Sequence, residues 1–205
     1  MSIDKFFTSR RRIVFSRIIA LFIVLFWLNS SSYWQETHPL VASLLFMVGV
    51  MLLALGAFGR MWCSLYIAGY KNQKLVTAGP YSMMRNPLYF FSMLGFIGFG
   101  FLTKSIILPI VFGVIFVMYY INVMRKEERD LSRIFGAEYK TYQGSVPLFF
   151  PKISLFKDVD SYEVKPKVYF THLKSAIWFV WLIGIVYVIE TLKDLGYFSQ
   201  WVILW

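Results

Sequence analysis

Long apolar runs alternate along this chain with segments that hold nearly all of its charge. The runs are Ile13–Trp34, Pro39–Gly59, Asn86–Thr103, Ser105–Met124 and Ser175–Leu192. A hydrocarbon core of about 30 Å takes about 20 helical residues, so each run predicts a membrane-spanning helix, with Arg17 snorkelling from the first. The third is short once its helix-start pair Asn86-Pro87 is removed, and Gly95, Gly98 and Gly100 predict close helix contacts along it. No strand precedes these glycines, which excludes a phosphate loop. Only Lys104 and a few polar neighbours separate the third run from the fourth, so the two form a tight helical hairpin. The expected fold class is an all-α integral membrane protein with about five transmembrane helices.

Charge orients this arrangement. Of the 21 basic residues, 19 fall in the N-terminal arm, the second connection or the fourth, leaving Lys104 and Lys193 opposite. The positive-inside rule then places the N-terminus in the cytoplasm and the C-terminus outside. Arg10-Arg11-Arg12 leads into a long apolar run without a small-residue cleavage signature, which reads as an uncleaved anchor. The net charge of +10 is accounted for by topology and by anionic lipid headgroups, not by nucleic acid. Hydrophobic residues make up 58% of the chain, beyond the roughly 45–50% of soluble domains. Cys63 is the single cysteine, which excludes an internal disulfide, and it reads as a small buried hydrophobe. His38 and His172 have no partner set for metal binding, and no metal site is expected. The minimal build and the lack of a retention signal point to a bacterial inner membrane. Three parts are expected: a two-span anchor at 1–59, a core at 60–151, and a charged connector with the last span at 152–205.

Both long polar segments, Arg60–Arg85 and Arg125–Lys174, fall on the cytoplasmic side, where a soluble cofactor has access. The second opens as an amphipathic helix: Leu131, Ile134, Phe135, Tyr139 and Tyr142 share one face at a 3.6-residue period, and Arg129, Arg133 and Lys140 point away. Glu127 and Glu128 project near the apolar face, where carboxylates are costly unless paired or liganded. Phe156–Tyr169 is charged and broken by Pro166, and reads as a connector.

The order Leu75-Val76-Thr77-Ala78-Gly79-Pro80-Tyr81, Arg85-Asn86-Pro87-Leu88-Tyr89, a helical hairpin, Glu127-Glu128, Phe135-Gly136-Ala137-Glu138-Tyr139 and Val146-Pro147 resembles the isoprenylcysteine carboxyl methyltransferases and their phospholipid methyltransferase relatives. The resemblance spans about Arg60 to Pro151. It implies S-adenosylmethionine as cofactor, with contacts at Gln73, Leu75, Val76, Tyr81, Asn86, Pro87, Leu88, Tyr89 and Glu127. The residue types suit that ligand, whose adenine, zwitterion and sulfonium call for aromatic faces, backbone donors and a carboxylate. Pro87 leaves first-turn N–H groups open to the cofactor's carboxylate, and Glu127 suits its ammonium. Taken singly, Tyr81 and Tyr89 also read as interfacial aromatics, and Glu127 as a surface acid paired with Arg129 or Arg133.

The chain departs from the family's pattern at three positions. Asn86 stands where many members carry histidine, and Val123 and Ser145 stand where prenylcysteine-methylating members carry arginines. Arg85 and Arg125 are then the cations expected to orient an acceptor. Methyl transfer is an in-line displacement in which the enzyme aligns the acceptor and excludes water, so no histidine base is required for an already nucleophilic acceptor. The expected function is methyl transfer at the cytoplasmic membrane face to a hydrophobic or membrane-dissolved acceptor. A phospholipid amine or small thiol acceptor, or a non-catalytic scaffold of the same fold, stays open, as does the oligomeric state.

Overall fold

The computed structural model describes residues 21–70 and 73–205. The Arg10-Arg11-Arg12 arm, Arg17, Lys71 and the start of the first expected span lie outside the described residues. Residues 21–28 are the helical end of that span, here α1. The helix stops six residues before the expected Trp34, because Asn29 turns and Ser30–Ser32 becomes a short strand, β1.

The remaining helices are α2 (Tyr33–Thr37), α3 (Pro39–Ile67), α4 (Pro80–Met83), α5 (Pro87–Leu102), α6 (Ile107–Ser145) and α7 (Pro166–Asp194). Proline occupies the first turn of α3, α4, α5 and α7, where its missing N–H costs no helical bond. Among the described residues three helices, α3, α6 and α7, are long and apolar enough to cross a membrane, and α5 is a shorter apolar helix. The protein is therefore an all-α membrane fold. Two helices overrun their expected ends: α3 continues from Gly59 to Ile67, and α6 from Met124 to Ser145. Hydrophobicity marks the bilayer, whereas a helix ends only where its backbone is broken.

Helix α5 lies against α3 at backbone distance. A Cβ added to Gly98 would stand 2.8 Å from the Gly49 carbonyl oxygen and from the Leu53 nitrogen. The α5–α6 hairpin turns at Lys104, whose φ is +56°, and the Ser105 hydroxyl accepts the Ile107 N–H at 3.1 Å to start α6. Trp27, Leu53, Leu102, Phe112 and Val186 form the central core.

At the end of the molecule remote from Gly79–Tyr89, β1 pairs in parallel with β2 (Val202–Leu204), and Trp205 stacks on Tyr33 at 3.7 Å. Lys104 and Lys193, the two cations that the charge pattern leaves on the opposite side, converge here on buried Glu190. Their Nζ atoms lie 3.6 and 3.1 Å from its carboxylate, which also accepts the Trp27 indole N–H at 3.0 Å. A buried acid with two cations and an indole donor is fully satisfied, and it ties α1, α7 and the hairpin together.

Candidate active site

The motif end is assembled on two glycines. Gly79 (φ +59°, ψ −131°) and Gly136 (φ +56°, ψ −122°) adopt nearly the same conformation, one that residues with a side chain rarely reach. Gly79 starts α4 directly beneath the Tyr66 ring. Gly136 breaks α6, which returns its last turns, Ala137–Ser145, toward α4, so that Tyr139 and Tyr142 are buried and the Tyr142 hydroxyl donates to the Tyr81 carbonyl at 2.6 Å. Of the expected amphipathic face, Leu131, Phe135, Tyr139 and Tyr142 pack inward, whereas Ile134 is exposed.

Arg85 binds this returning segment. Its Nε meets Glu128 at 2.6 Å, and its Nη1 donates to the carbonyls of Gln143 and Val146 at 2.8 and 2.6 Å, covering the open carbonyl end of α6. Its backbone N–H reaches the Pro147 carbonyl, and Asn86 Nδ2 donates to the Leu148 carbonyl at 3.1 Å. The adjacent acids thus diverge. Glu128 faces Arg85 and the Tyr139 hydroxyl, whereas Glu127 accepts the Tyr89 hydroxyl at 3.0 Å. Successive helical residues point about 100° apart, which sends Glu127 to the first turns of α5 and Glu128 into the scaffold.

Tyr81, Asn86, Pro87, Leu88, Tyr89 and Glu127 are brought together here. Leu75 packs beside Tyr139 and Tyr142, and Val76 and Leu88 pack around Cys63, Tyr66 and Tyr81. Gln73 is exposed at the rim, in the turn that its N–H closes on Tyr70. Arg125 is exposed, and among the described residues no hydrogen bond or ion pair joins it to this group. The Ser145 hydroxyl is turned onto the Thr141 and Tyr142 carbonyls. Arg133 pairs with Asp130 at 3.7 Å on the exposed side.

Tyr81 is 6% exposed, and its buried hydroxyl has no hydrogen-bond partner among the described residues. Burial pushes that hydroxyl's pKa well above its usual value, so it stays a neutral group with an unused proton.

Sequence reasoning missed two contributors. Arg60, read as the start of the second connection, lies inside α3, with Nη1 on the Ser92 hydroxyl of α5 and its guanidinium 5.8 Å from the centre of the Phe179 ring of α7. The second is the expected connector, which is a strap across the motif loop. The Gly79 N–H donates to the Lys157 carbonyl at 2.8 Å, the Lys157 N–H to the Ser82 hydroxyl at 2.9 Å, and the Lys152 N–H to the Met83 carbonyl at 3.0 Å. The Tyr66 hydroxyl donates to Asp158 at 2.6 Å, and this bond holds the Asp158 carboxyl below the usual carboxylate range. Backbone-to-backbone contacts of this kind leave no residue pattern to read.

The family model for phospholipid methyltransferases matches residues 37–138. The nickel-cobalt-cadmium resistance protein NccN of Alcaligenes xylosoxydans xylosoxydans is 34% identical over 97% of this chain and 92% of its own length. The cobalt-zinc-cadmium resistance protein CzcN of Cupriavidus metallidurans is 35% identical over 95% of this chain and 88% of its own. No solved structure matches the chain at a significant level.

Proposed function

The chain belongs to the phospholipid methyltransferase family, and we propose that it is an S-adenosylmethionine-dependent methyltransferase acting at the cytoplasmic membrane face on a hydrophobic or membrane-dissolved acceptor. The observation that carries this reading is the placement of Glu127 beside the first turn of α5, fixed by Tyr89. That turn follows Pro87, so the Leu88 and Tyr89 N–H groups have no carbonyl within the helix to bond. A carboxylate beside open N–H groups suits a zwitterion: Glu127 for the ammonium, the helix start for the carboxylate. These residues fit the cofactor, which when bound supplies a methyl group on a sulfonium cation. Val76 and Leu88 wall the space with apolar surface, and the strap over Gly79 limits water.

Glu127→Gln is expected to weaken binding of S-adenosylhomocysteine by about 1–3 kcal/mol, since a charge-assisted bond becomes a neutral one. Calorimetric titration measures it. Undiminished affinity in a folded variant would assign Glu127 to the framework and move weight to a scaffold role.

The orientation rests on the charge pattern and places the motif end in the cytoplasm of a bacterial cell. Ser161 and Tyr197 are exposed near opposite ends of the helices. In a Cys63→Ser background, an impermeant thiol reagent added to intact cells should label Tyr197→Cys and spare Ser161→Cys. The reverse pattern would invert the protein.

The relatives' printed role in metal resistance is compatible with chemistry on a membrane component. Among the described residues no group of three His, Cys, Asp or Glu side chains is placed to hold a metal ion.

A further inference from the structure

Arg60, Arg85 and Arg125 lie near the motif end, and their surroundings separate them. Arg85 is neutralised by Glu128, and Arg125 is exposed. Arg60 is different. Among the described residues its buried Nε has no hydrogen-bond partner, and the side-chain contacts of its guanidinium are the Ser92 hydroxyl and the Phe179 ring, with no carboxylate among them. An arginine inside a membrane helix and lacking a counter-ion is costly, and such residues mark sites where a charged ligand completes the set.

The position along the helices identifies the ligand's place. Ser92 is one turn along α5 from Tyr89, so Arg60 lies roughly 4.5 Å deeper than the Glu127–Tyr89 pair. Tyr120 forms a wall at this level, with its ring 5.2 Å from that of Tyr89 and 4.2 Å from that of Phe116. The buried Tyr81 hydroxyl is also unpartnered among the described residues, and the Tyr81 side chain packs with Cys63, one turn along α3 from Arg60. Arg60 of α3 and Tyr81 of α4 thus each present a buried donor without a partner among the described residues.

We propose that Arg60, assisted by Tyr81, binds the anionic head of the membrane-dissolved acceptor, a carboxylate or phosphate on an apolar tail. This deepens the methyltransferase reading and rests on it for the word acceptor. It also supplies the cation that Val123 and Ser145 lack, from a different helix. The guanidinium fork matches either oxyanion with two parallel bonds, and the Phe179 ring lies against the guanidinium on one side.

The test uses the full chain in nanodiscs of zwitterionic lipid with saturating S-adenosylhomocysteine. Spin-labelled amphiphiles of one chain length, bearing a carboxylate, a phosphate or an ammonium, are compared by the fraction immobilised on the protein. The anionic probes should bind at least about tenfold more tightly than the ammonium, the size of one charge-assisted bond, and the tighter of the two identifies the head group. Arg60→Gln should abolish the preference, and Arg60→Lys should keep part of it. Tyr81→Phe should weaken anionic binding severalfold. An ammonium probe that binds equally well, or a preference that survives Arg60→Gln, would overturn the assignment. Should Arg60→Gln fail to fold, Arg60→Lys decides: an unchanged preference for both oxyanions would also overturn it. Failure of wild-type protein to bind S-adenosylhomocysteine, with the anion preference intact, would sink the methyltransferase reading and leave this site standing.

Discussion

Alanine at position 79 is expected to cost about 2–6 kcal/mol of stability, while alanine at position 136 costs about 1–3, although the two glycines share one backbone conformation. The φ values of +59° and +56° impose a similar strain on any residue with a Cβ. At Gly136 that strain is the whole effect, because an added Cβ has nothing within 4 Å. At Gly79 the Cβ would stand 2.3 Å from the Tyr66 ring, whose hydroxyl is anchored on Asp158 and cannot swing aside without losing that bond. Thermal unfolding of the detergent-solubilised variants measures the difference, and Gly79→Ala combined with Tyr66→Ala should recover the overlap portion alone. Equal losses at the two glycines would show that Tyr66 yields freely and that the strap does not hold it. The anchor has a pH signature of known sign. Asp158 has a depressed pKa in the fold, so its contribution is present above the unfolded carboxylate pKa and is lost as pH falls through the folded value.

What the sequence made readable follows from which interactions leave a pattern. Asn86-Pro87 announces the start of α5 because proline tolerates only that end of a helix, and Lys104 announces the hairpin because one polar turn cannot lie in hydrocarbon. The charge pattern isolates Lys104 and Lys193 on one side, but their meeting at Glu190, an acid inside the last apolar run, depends on how α7 packs against the hairpin and leaves no sequence signal. Arg60 was misplaced for a physical reason: a hydropathy window ends a span at the first cation, whereas this one turns inward onto Ser92 and the helix continues. Glu127-Glu128 was legible as an acid pair against an apolar face. Its division between a Tyr89 partner and an Arg85 partner depends on rotation about α6, and that rotation depends on how deeply the hairpin seats against α3. The strap from Lys152 to Lys157 was invisible, since every group it contributes to its docking is a main-chain N–H or C=O, common to every residue, and it meets only one side chain there, the Ser82 hydroxyl.

Arg85→Ala is expected to lower stability by about 3–5 kcal/mol, the loss seen when one partner of a buried ion pair is removed. Both side chains of the pair are nearly covered, at 10% and 12% exposure, so Glu128 would remain as an uncompensated charge. The Gln143 and Val146 carbonyls would lose their donor at the same time. Arg85→Lys cannot rescue this fully, because one ammonium does not reproduce a fork that serves a carboxylate and two carbonyls in fixed directions. The arrangement separates two roles for Arg85. If it acts by holding Glu128 and the returning end of α6, Arg85→Ala and Glu128→Gln should be strongly coupled in a double-mutant cycle of unfolding free energies, and the double variant should be little worse than Arg85→Ala alone. If it orients the acceptor directly through its remaining Nη2 group, methyl transfer by the folded Arg85→Lys variant should fall by about a hundredfold in kcat/KM with the stability largely kept. Additive losses in the cycle would rule out the first role, and transfer that tracks only the folded fraction would rule out the second.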